Sequence, residues 1–504
     1  MDREYLRNGS PLPSNPRSRE QAAGLPSRSA RGHGVEDPIT QPPLRVLSDD
    51  AEPRLPEGSR LPGSVQSLQW FRDPVRFMER NRDRHGPIFS VRLGPLRRCT
   101  FVAHPATAWQ VLTGNPELMR MGSTNGIFRP VLGNDSLFLL DGEEHKRHRA
   151  LLMPAFHRGS VRRFSGLVAE LAAREVADWP IGTAFPIQER MRAITLEMVF
   201  RVVVGTAGGS RDDALRESIH ELLDLVQNPI AVLPAFQREL GGRSPFGKLM
   251  TIVEGIDRLL RDEISERRSD PASAERDDVL SMLVRPKTHE DGFLSDRQVR
   301  DELLTMLIAG HETTATALAW SFERLLRHPE IHRRLLDELS HGADDALLDA
   351  VIRESLRQRP VLPITARKLT RPVELGGYVF PKGWTLMPCI YLIHNDPEVF
   401  PDPGRFDPDR FLASDAPSSR VWLPFGAGPR HCIGSGLAMM AIKVIMRTML
   451  SRVELRPDSS APERIVRRNF TLGPELGSRV VCERRVEPPD RSRSHSPLGA
   501  PPLH

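Results

Sequence analysis

The sequence predicts a large, mainly α-helical body with a smaller antiparallel β portion. Three observations carry that prediction. Helical periodicity runs from Leu294 to about His328. A second amphipathic run, DALLDAVIRESLRQRP (345–360), is closed by proline. The period then changes to short alternating runs broken by Gly-Gly and Pro-Lys-Gly in RPVELGGYVFPKGWTLMPCIYLIHND (371–396).

The long helix opens on a capping-box pattern, Ser295 with Gln298, and Leu294 with Val299 can staple its first turn. Pro329 stops it. Its length, roughly 50 Å at 1.5 Å per residue, is enough to cross a domain. A last helix, GSGLAMMAIKVIMRTML (434–450), precedes weak strand patterns that close the core near Arg485. Residues 1 to about 58 are rich in Pro, Arg, Ser and Gly, and 486–504 read the same way. Neither segment has the apolar surface to offset its ordering entropy, so both are expected to be disordered tails around one domain, 59–485.

A chain of 504 residues with 39 % hydrophobic residues can bury a sizeable core. Its net charge of +5 is too close to neutral to argue for a nucleic-acid partner. The four cysteines, Cys99, Cys389, Cys432 and Cys482, form no CxxC pair, which excludes zinc-ribbon and thioredoxin-like readings and fits a reducing, cytoplasmic compartment. MDREYLRNGS leads to no apolar run, so no signal peptide is expected. The most membrane-like stretch, LLTMLIAGHETTATALAW (303–320), is interrupted by His311–Glu312, so no transmembrane anchor is expected either.

The chemistry concentrates at FGAGPRHCIG (425–434), where a thiol ends a glycine-rich loop just before a helix. Phe425, Gly428, Arg430, Cys432 and Gly434 fit F-x-x-G-x-R-x-C-x-G without a gap. Five fixed positions would match by chance in roughly one such chain in ten thousand. This loop resembles the haem-binding signature of the cytochromes P450. The resemblance implies the cytochrome P450 fold, haem b as cofactor and Cys432 as thiolate ligand of the iron. A helix N-terminus favours that negative charge. Phe425 would shield the sulfur, Arg430 would meet a haem propionate, and Gly428 and Gly434 would let loop and helix lie against the porphyrin.

Three further motifs follow family order. AGHETT (309–314), in the apolar centre of the long helix, resembles the family's oxygen-activation motif. A glycine inside a helix costs about 1 kcal/mol. Ala309 and Gly310 are therefore expected to open helical hydrogen bonding into a groove for dioxygen, with Thr313 bonding the oxygen and Glu312 relaying protons. Glu354-Ser-Leu-Arg357 matches E-x-x-R, and Pro408-Asp409-Arg410-Phe411 stands for the later P-E-R-F segment. Glu354, Arg357 and Arg410 would form a structural triad. In DGEEHKRHRALLMPAF (141–156), His145 and Arg149 match residues that hold a propionate in the family, and Arg367 is a further candidate.

The resemblance, about residues 59–485, implies a monooxygenase acting on O2 and an apolar organic substrate. No fused flavin or iron–sulfur module is visible, so a separate ferredoxin or flavodoxin and its NAD(P)H reductase are expected. Lys146, Arg147, Lys443, Arg447 and Arg452 could form the basic face for an acidic ferredoxin. Segments 119–134, 221–236, 361–365 and 474–476, together with the helix before Ala309, should line the substrate pocket. A peroxygenase or isomerase of the same family, and a non-catalytic haem sensor or carrier, are the alternatives.

Overall fold

The computed structural model describes residues 43–94, 98–205, 209–226, 244–285, 294–342, 345–468 and 470–486. Its main helices are α1 (Gly63–Arg72), α2 (Pro74–His85), α3 (Pro105–Thr113), α4 (Gly142–Leu152), α5 (Ser165–Ala177), α6 (Ile187–Val203), α7 (Ser210–Val226), α8 (Pro245–Ser269), α9 (Asp296–Leu326), α10 (Pro329–Ser340), α11 (Ala346–Gln358) and α12 (Ser435–Leu450). Helix α9 has 31 residues, about 46 Å at 1.5 Å each. Both capping-box bonds form: Ser295 Oγ accepts from Gln298 N at 3.3 Å, and Gln298 Oε1 accepts from Ser295 N at 3.0 Å. Leu294 and Val299 are buried beside them, as the staple requires. Pro329 then serves as the first residue of α10, where its missing N–H leaves no bond unmade.

Leu303, Leu304, Leu307 and Leu318 make α9 the axis of the main core, which α6, α11 and α12 cover with Met198, Val351, Ile445 and Met446. The β portion lies in small sheets. Strands β2 (Ile88–Val91), β3 (Cys99–Val102), β9 (Thr385–Pro388), β6 (Arg367–Leu369) and β4 (Met119–Arg120) form one sheet in that order. Among the described residues the strand pairs are antiparallel as predicted except β3–β9, which is parallel with Phe101 opposite Met387. The helical body lies between these two strands in sequence, and a long crossover permits parallel pairing. Strand β5 (Ala184–Pro186) joins β10 (Val453–Pro457) through β13 (Arg479–Arg485), and β11 (Ile465–Arg468) pairs with β12 (Thr471–Pro474).

Residues 1–42 and 487–504, most of the two expected tails, lie outside the described residues. The expected boundary at residue 58 needs correction. Strand β1 (Arg45–Val46) pairs with β7 (Val373–Leu375), which pairs in turn with β8 (Tyr378–Phe380). Arg54 bridges Val379, Gly58 bridges Ser90, and Leu44 and Leu55 pack against the Val373–Phe380 cluster. Composition concealed this because extended backbone can saturate a sheet edge with few apolar side chains.

Candidate functional site

The thiol loop is held by its own backbone. Cys432 N donates to Phe425 O at 3.0 Å, and the Phe425 ring stands 6.2 Å from Trp422 and 6.5 Å from His431. Gly428 has φ +67°, and a Cβ there would lie 2.5 Å from Leu112 O at the end of α3. That close approach by itself requires a glycine. At Gly434 a Cβ would sit 4.0 Å from Cys432 Sγ, an ordinary contact. Cys432 is exposed, whereas Cys99, Cys389 and Cys482 are buried. Protein atoms still crowd the sulfur, and that burial raises the thiol pKa. The amides of Gly434 and Ser435 and the charge of Arg149 pull it down less strongly. A bound metal ion would supply the further stabilisation that a thiolate needs.

Beside the loop, four basic residues from three elements converge: His145 and Arg149 of α4, Arg367 of β6, and Arg430. Burial, then the charges of Arg430, Arg149 and Arg367, push His145 down to about 3. Burial, then Arg430, pushes Arg367 down to about 10, and burial pushes Arg430 down to about 10. Arg430 is largely engaged: Nη1 donates to Leu137 O at 3.2 Å, and Nη2 pairs with Leu140 O and, at 2.7 Å, with Asp141 Oδ1. Its Nε and the His145 Nδ1 are buried without hydrogen-bond partners. Asp141 also accepts from the backbone N–H groups of Met121, Gly122 and Ser123, so it has little capacity left for the other cations. A cluster with three guanidinium groups, short of anions and carrying an unused guanidinium N–H and an unpartnered imidazole nitrogen, fits the two propionates of a haem, and the exposed thiol fits its iron.

On α9, Ala309 is exposed between buried turns. The helix continues through Ala309–Thr314. Gly310 serves packing, since a Cβ there would lie 3.0 Å from Val199 Cγ2 on α6. Thr313 Oγ1 donates to Ala309 O at 2.6 Å, which leaves its lone pairs to accept. Glu312 is held by Arg192 of α6 in a bidentate pair, 2.7 Å to Oε2 and 2.8 Å to Oε1. Arg192 carried no motif in the sequence, and only the helix contact brings it to Glu312.

The triad assembles in a fully buried setting. Arg357 Nε and Nη2 donate to Glu354 at 2.7 and 2.8 Å, and both side chains are 0 % exposed. Arg410 Nε reaches Glu354 Oε1 at 3.3 Å, while Asp409 pairs outward with Arg334. His394 was missed by sequence reasoning. Its Nδ1 bonds Arg357 O at 3.1 Å and its Nε2 accepts from Leu423 N at 2.8 Å, so one neutral imidazole ties the triad to the start of the thiol loop. His148 was missed too: its Nδ1 meets Glu302 Oε1 at 2.7 Å, with both side chains fully buried, and anchors α4 to α9.

Of the five basic residues considered for a redox partner, four already have acidic neighbours: Lys146 with Glu143, Arg147 with Glu144, Lys443 with Asp349 and Arg447 with Asp345. Among the described residues, Arg452 makes no ion pair. In the expected pocket segments, Phe128 meets Phe138 and Phe470 edge-on, each at 5.6 Å. Residues 227–236 lie outside the described residues.

The cytochrome P450 family model matches residues 53–479. Cytochrome P450 135B1 of Mycobacterium tuberculosis is 38% identical over 439 residues, covering 86% of this chain and 92% of that protein. Cytochrome P450 138 of the same species is 39% identical over 434 residues, covering 86% and 97%. Among solved structures, retinoic acid-bound cyanobacterial CYP120A1 matches with a TM-score of 0.74 and 23% identity, over 86% of this chain and 100% of that one. That last likeness speaks for the fold alone. Among the described residues, no helix is long and apolar enough to cross a membrane.

Proposed function

The chain belongs to the cytochrome P450 family, and from that premise we propose that it inserts one oxygen atom of O2 into an apolar organic substrate. Like its family, it is an oxidoreductase of the monooxygenase class that binds haem b through a cysteine thiolate. The overall balance is R–H + O2 + two electrons + two protons giving R–OH + water. Electrons come from a separate ferredoxin or flavodoxin with its NAD(P)H reductase. Bound haem supplies redox-active iron for activating O2.

The observation that carries the residue assignment is the exposed Cys432 next to a cluster of arginines with an unused, buried Arg430 Nε–H and an unpartnered His145 Nδ1. Cys432 is the iron ligand, stabilised by the Gly434 and Ser435 amides and by Arg149. Arg149, Arg367 and His145 take the propionates, with Arg430 contributing its Nε. Thr313 offers its hydroxyl oxygen beside the exposed Ala309. Glu312 moves protons while Arg192 holds it with one bond to each oxygen, which leaves Oε2 a lone pair to accept a further donor. Phe128, Phe138 and Phe470 favour an apolar substrate. An acidic ferredoxin would compete with Asp345 and Asp349 for Arg447 and Lys443.

The test is the absorption spectrum after dithionite reduction under carbon monoxide. A strongly red-shifted Soret band, lost in Cys432→Ser, is expected. An ordinary haem–CO band in the unaltered protein would refute thiolate ligation. Thr313→Ala should keep that band and divert electrons to hydrogen peroxide, and unchanged coupling would remove the proton-relay assignment.

A further inference from the structure

Helix α1 buries a polar side chain and turns an apolar stripe to water. Gln66 is fully buried, donating to the carbonyls of Ser59 and Leu61 at 3.2 and 2.7 Å and accepting from Arg92 N at 3.0 Å. Trp70 follows it inward. The opposite face presents Val65, Leu68 and Phe71, which are 38, 67 and 47 % exposed, with Leu61 (41 %) just before the first turn. Spacings of three and four residues place all four on one stripe. Each has water where an inward-facing position would have given it a core.

The charge around this stripe is one-sided. Residues 58–72, GSRLPGSVQSLQWFR, contain two arginines and no acid, with Glu57 and Asp73 just beyond the two ends. Arg60 and Arg72 are exposed beside the apolar side chains, and Arg92 and Arg98 flank the surface depression at the start of the helix. Arg467 of β11 lies 4.3 Å from the Phe71 ring centroid. Among the described residues none of these five arginines makes an ion pair, whereas Arg45 pairs with Glu374 and Arg464 with Glu475. An exposed apolar stripe ringed by unpaired cations matches the surface of an anionic bilayer, whose phosphates lie above a hydrocarbon edge. A second copy fits poorly, because a two-fold contact would set the arginines against themselves.

We propose that this face seats the protein on an anionic lipid bilayer, with Leu61, Val65, Leu68 and Phe71 entering the headgroup–acyl boundary and the exposed Arg60, Arg72, Arg92 and Arg98 on lipid phosphates. The haem-loaded, full-length protein is co-sedimented with phosphatidylglycerol vesicles and with phosphatidylcholine vesicles. Binding to the anionic vesicles alone is expected, weakening with salt and by about fivefold for each arginine replaced by glutamine among Arg60 and Arg72. Leu68→Glu/Phe71→Glu, and the milder Leu68→Ser/Phe71→Ser, should weaken binding about tenfold or more while leaving haem absorbance and melting temperature in place. Three results would overturn the proposal. The unaltered protein could ignore anionic vesicles. The double variants could bind as it does, which would place the contact elsewhere in the chain. A concentration-dependent dimer could disappear in Leu68→Ser/Phe71→Ser, which would make the stripe a self-association face.

Discussion

Replacing His394 by alanine should destabilise the protein strongly at neutral pH and much less in acid. The imidazole is fully buried, its Nδ1 bonded to Arg357 O and its Nε2 to Leu423 N–H. Alanine strands a buried carbonyl and a buried N–H, each worth about 1–3 kcal/mol, and leaves a cavity beside Phe400, whose ring stands 6.0 Å away. The expected loss at pH 7.5 is about 3–5 kcal/mol. Burial, followed by the charge of Arg357, lowers the His394 pKa from 6.5 to about 3. The folded protein therefore refuses a proton that the unfolded chain accepts. This penalty is absent well above pH 6.5 and grows as pH falls below it, by up to about 1.4 kcal/mol per unit, until about pH 3. At pH 5 it amounts to about 2 kcal/mol, and only the unaltered protein carries it. The gap between the two proteins should thus narrow to about 1–3 kcal/mol. Urea unfolding of the haem-loaded proteins, followed by tryptophan fluorescence at both pH values, measures it. An equal gap at pH 7.5 and pH 5 would refute the neutral, two-bond imidazole on which the reasoning rests.

Glu354→Gln keeps the volume but leaves the buried Arg357 without its counter-charge, and urea unfolding should show a loss of about 3–5 kcal/mol. Gly428→Ala and Gly426→Ala share φ +67°, yet only the first drives a Cβ to 2.5 Å from Leu112 O. The Gly426 variant should lose about 1–2 kcal/mol and keep its haem, whereas the Gly428 variant should lose more and purify with depleted haem content. Arg149→Leu should speed haem transfer to apomyoglobin about tenfold, for the loss of one charge-assisted bond. In haem-free protein the same change should not destabilise, because it relieves the repulsion between Arg149 and Arg430.

Much of the site could be read from short sequence spans because its chemistry is local. A thiol ending a glycine loop before a helix, a glycine inside an apolar helix and an acid three residues from an arginine each declare themselves within one or two turns. The main helices follow from periodicity, caps and prolines for the same reason: their hydrogen bonds close within four residues. The sequence also left the β portion approximate, since pairing partners are distant. Nothing near Cys99 announces Thr385, and nothing near Arg45 announces Glu374.

Only the tertiary structure decided which partners the recognised residues keep. Glu312 is clamped by Arg192 because α6 crosses α9 at Gly310, where a Cβ would lie 3.0 Å from Val199 Cγ2. Arg430 is mostly spent on Asp141 and two carbonyls, Gly428 answers to α3, and His394 joins Arg357 to Leu423 across a gap in sequence. The outward stripe of α1 has the same origin. Its periodicity identifies an amphipathic helix, but the direction in which the stripe faces depends on Gln66 finding buried partners at Ser59, Leu61 and Arg92. Residue types and local spacing determined the reaction class, while long-range packing, which no local pattern encodes, determined which of those groups are free to act.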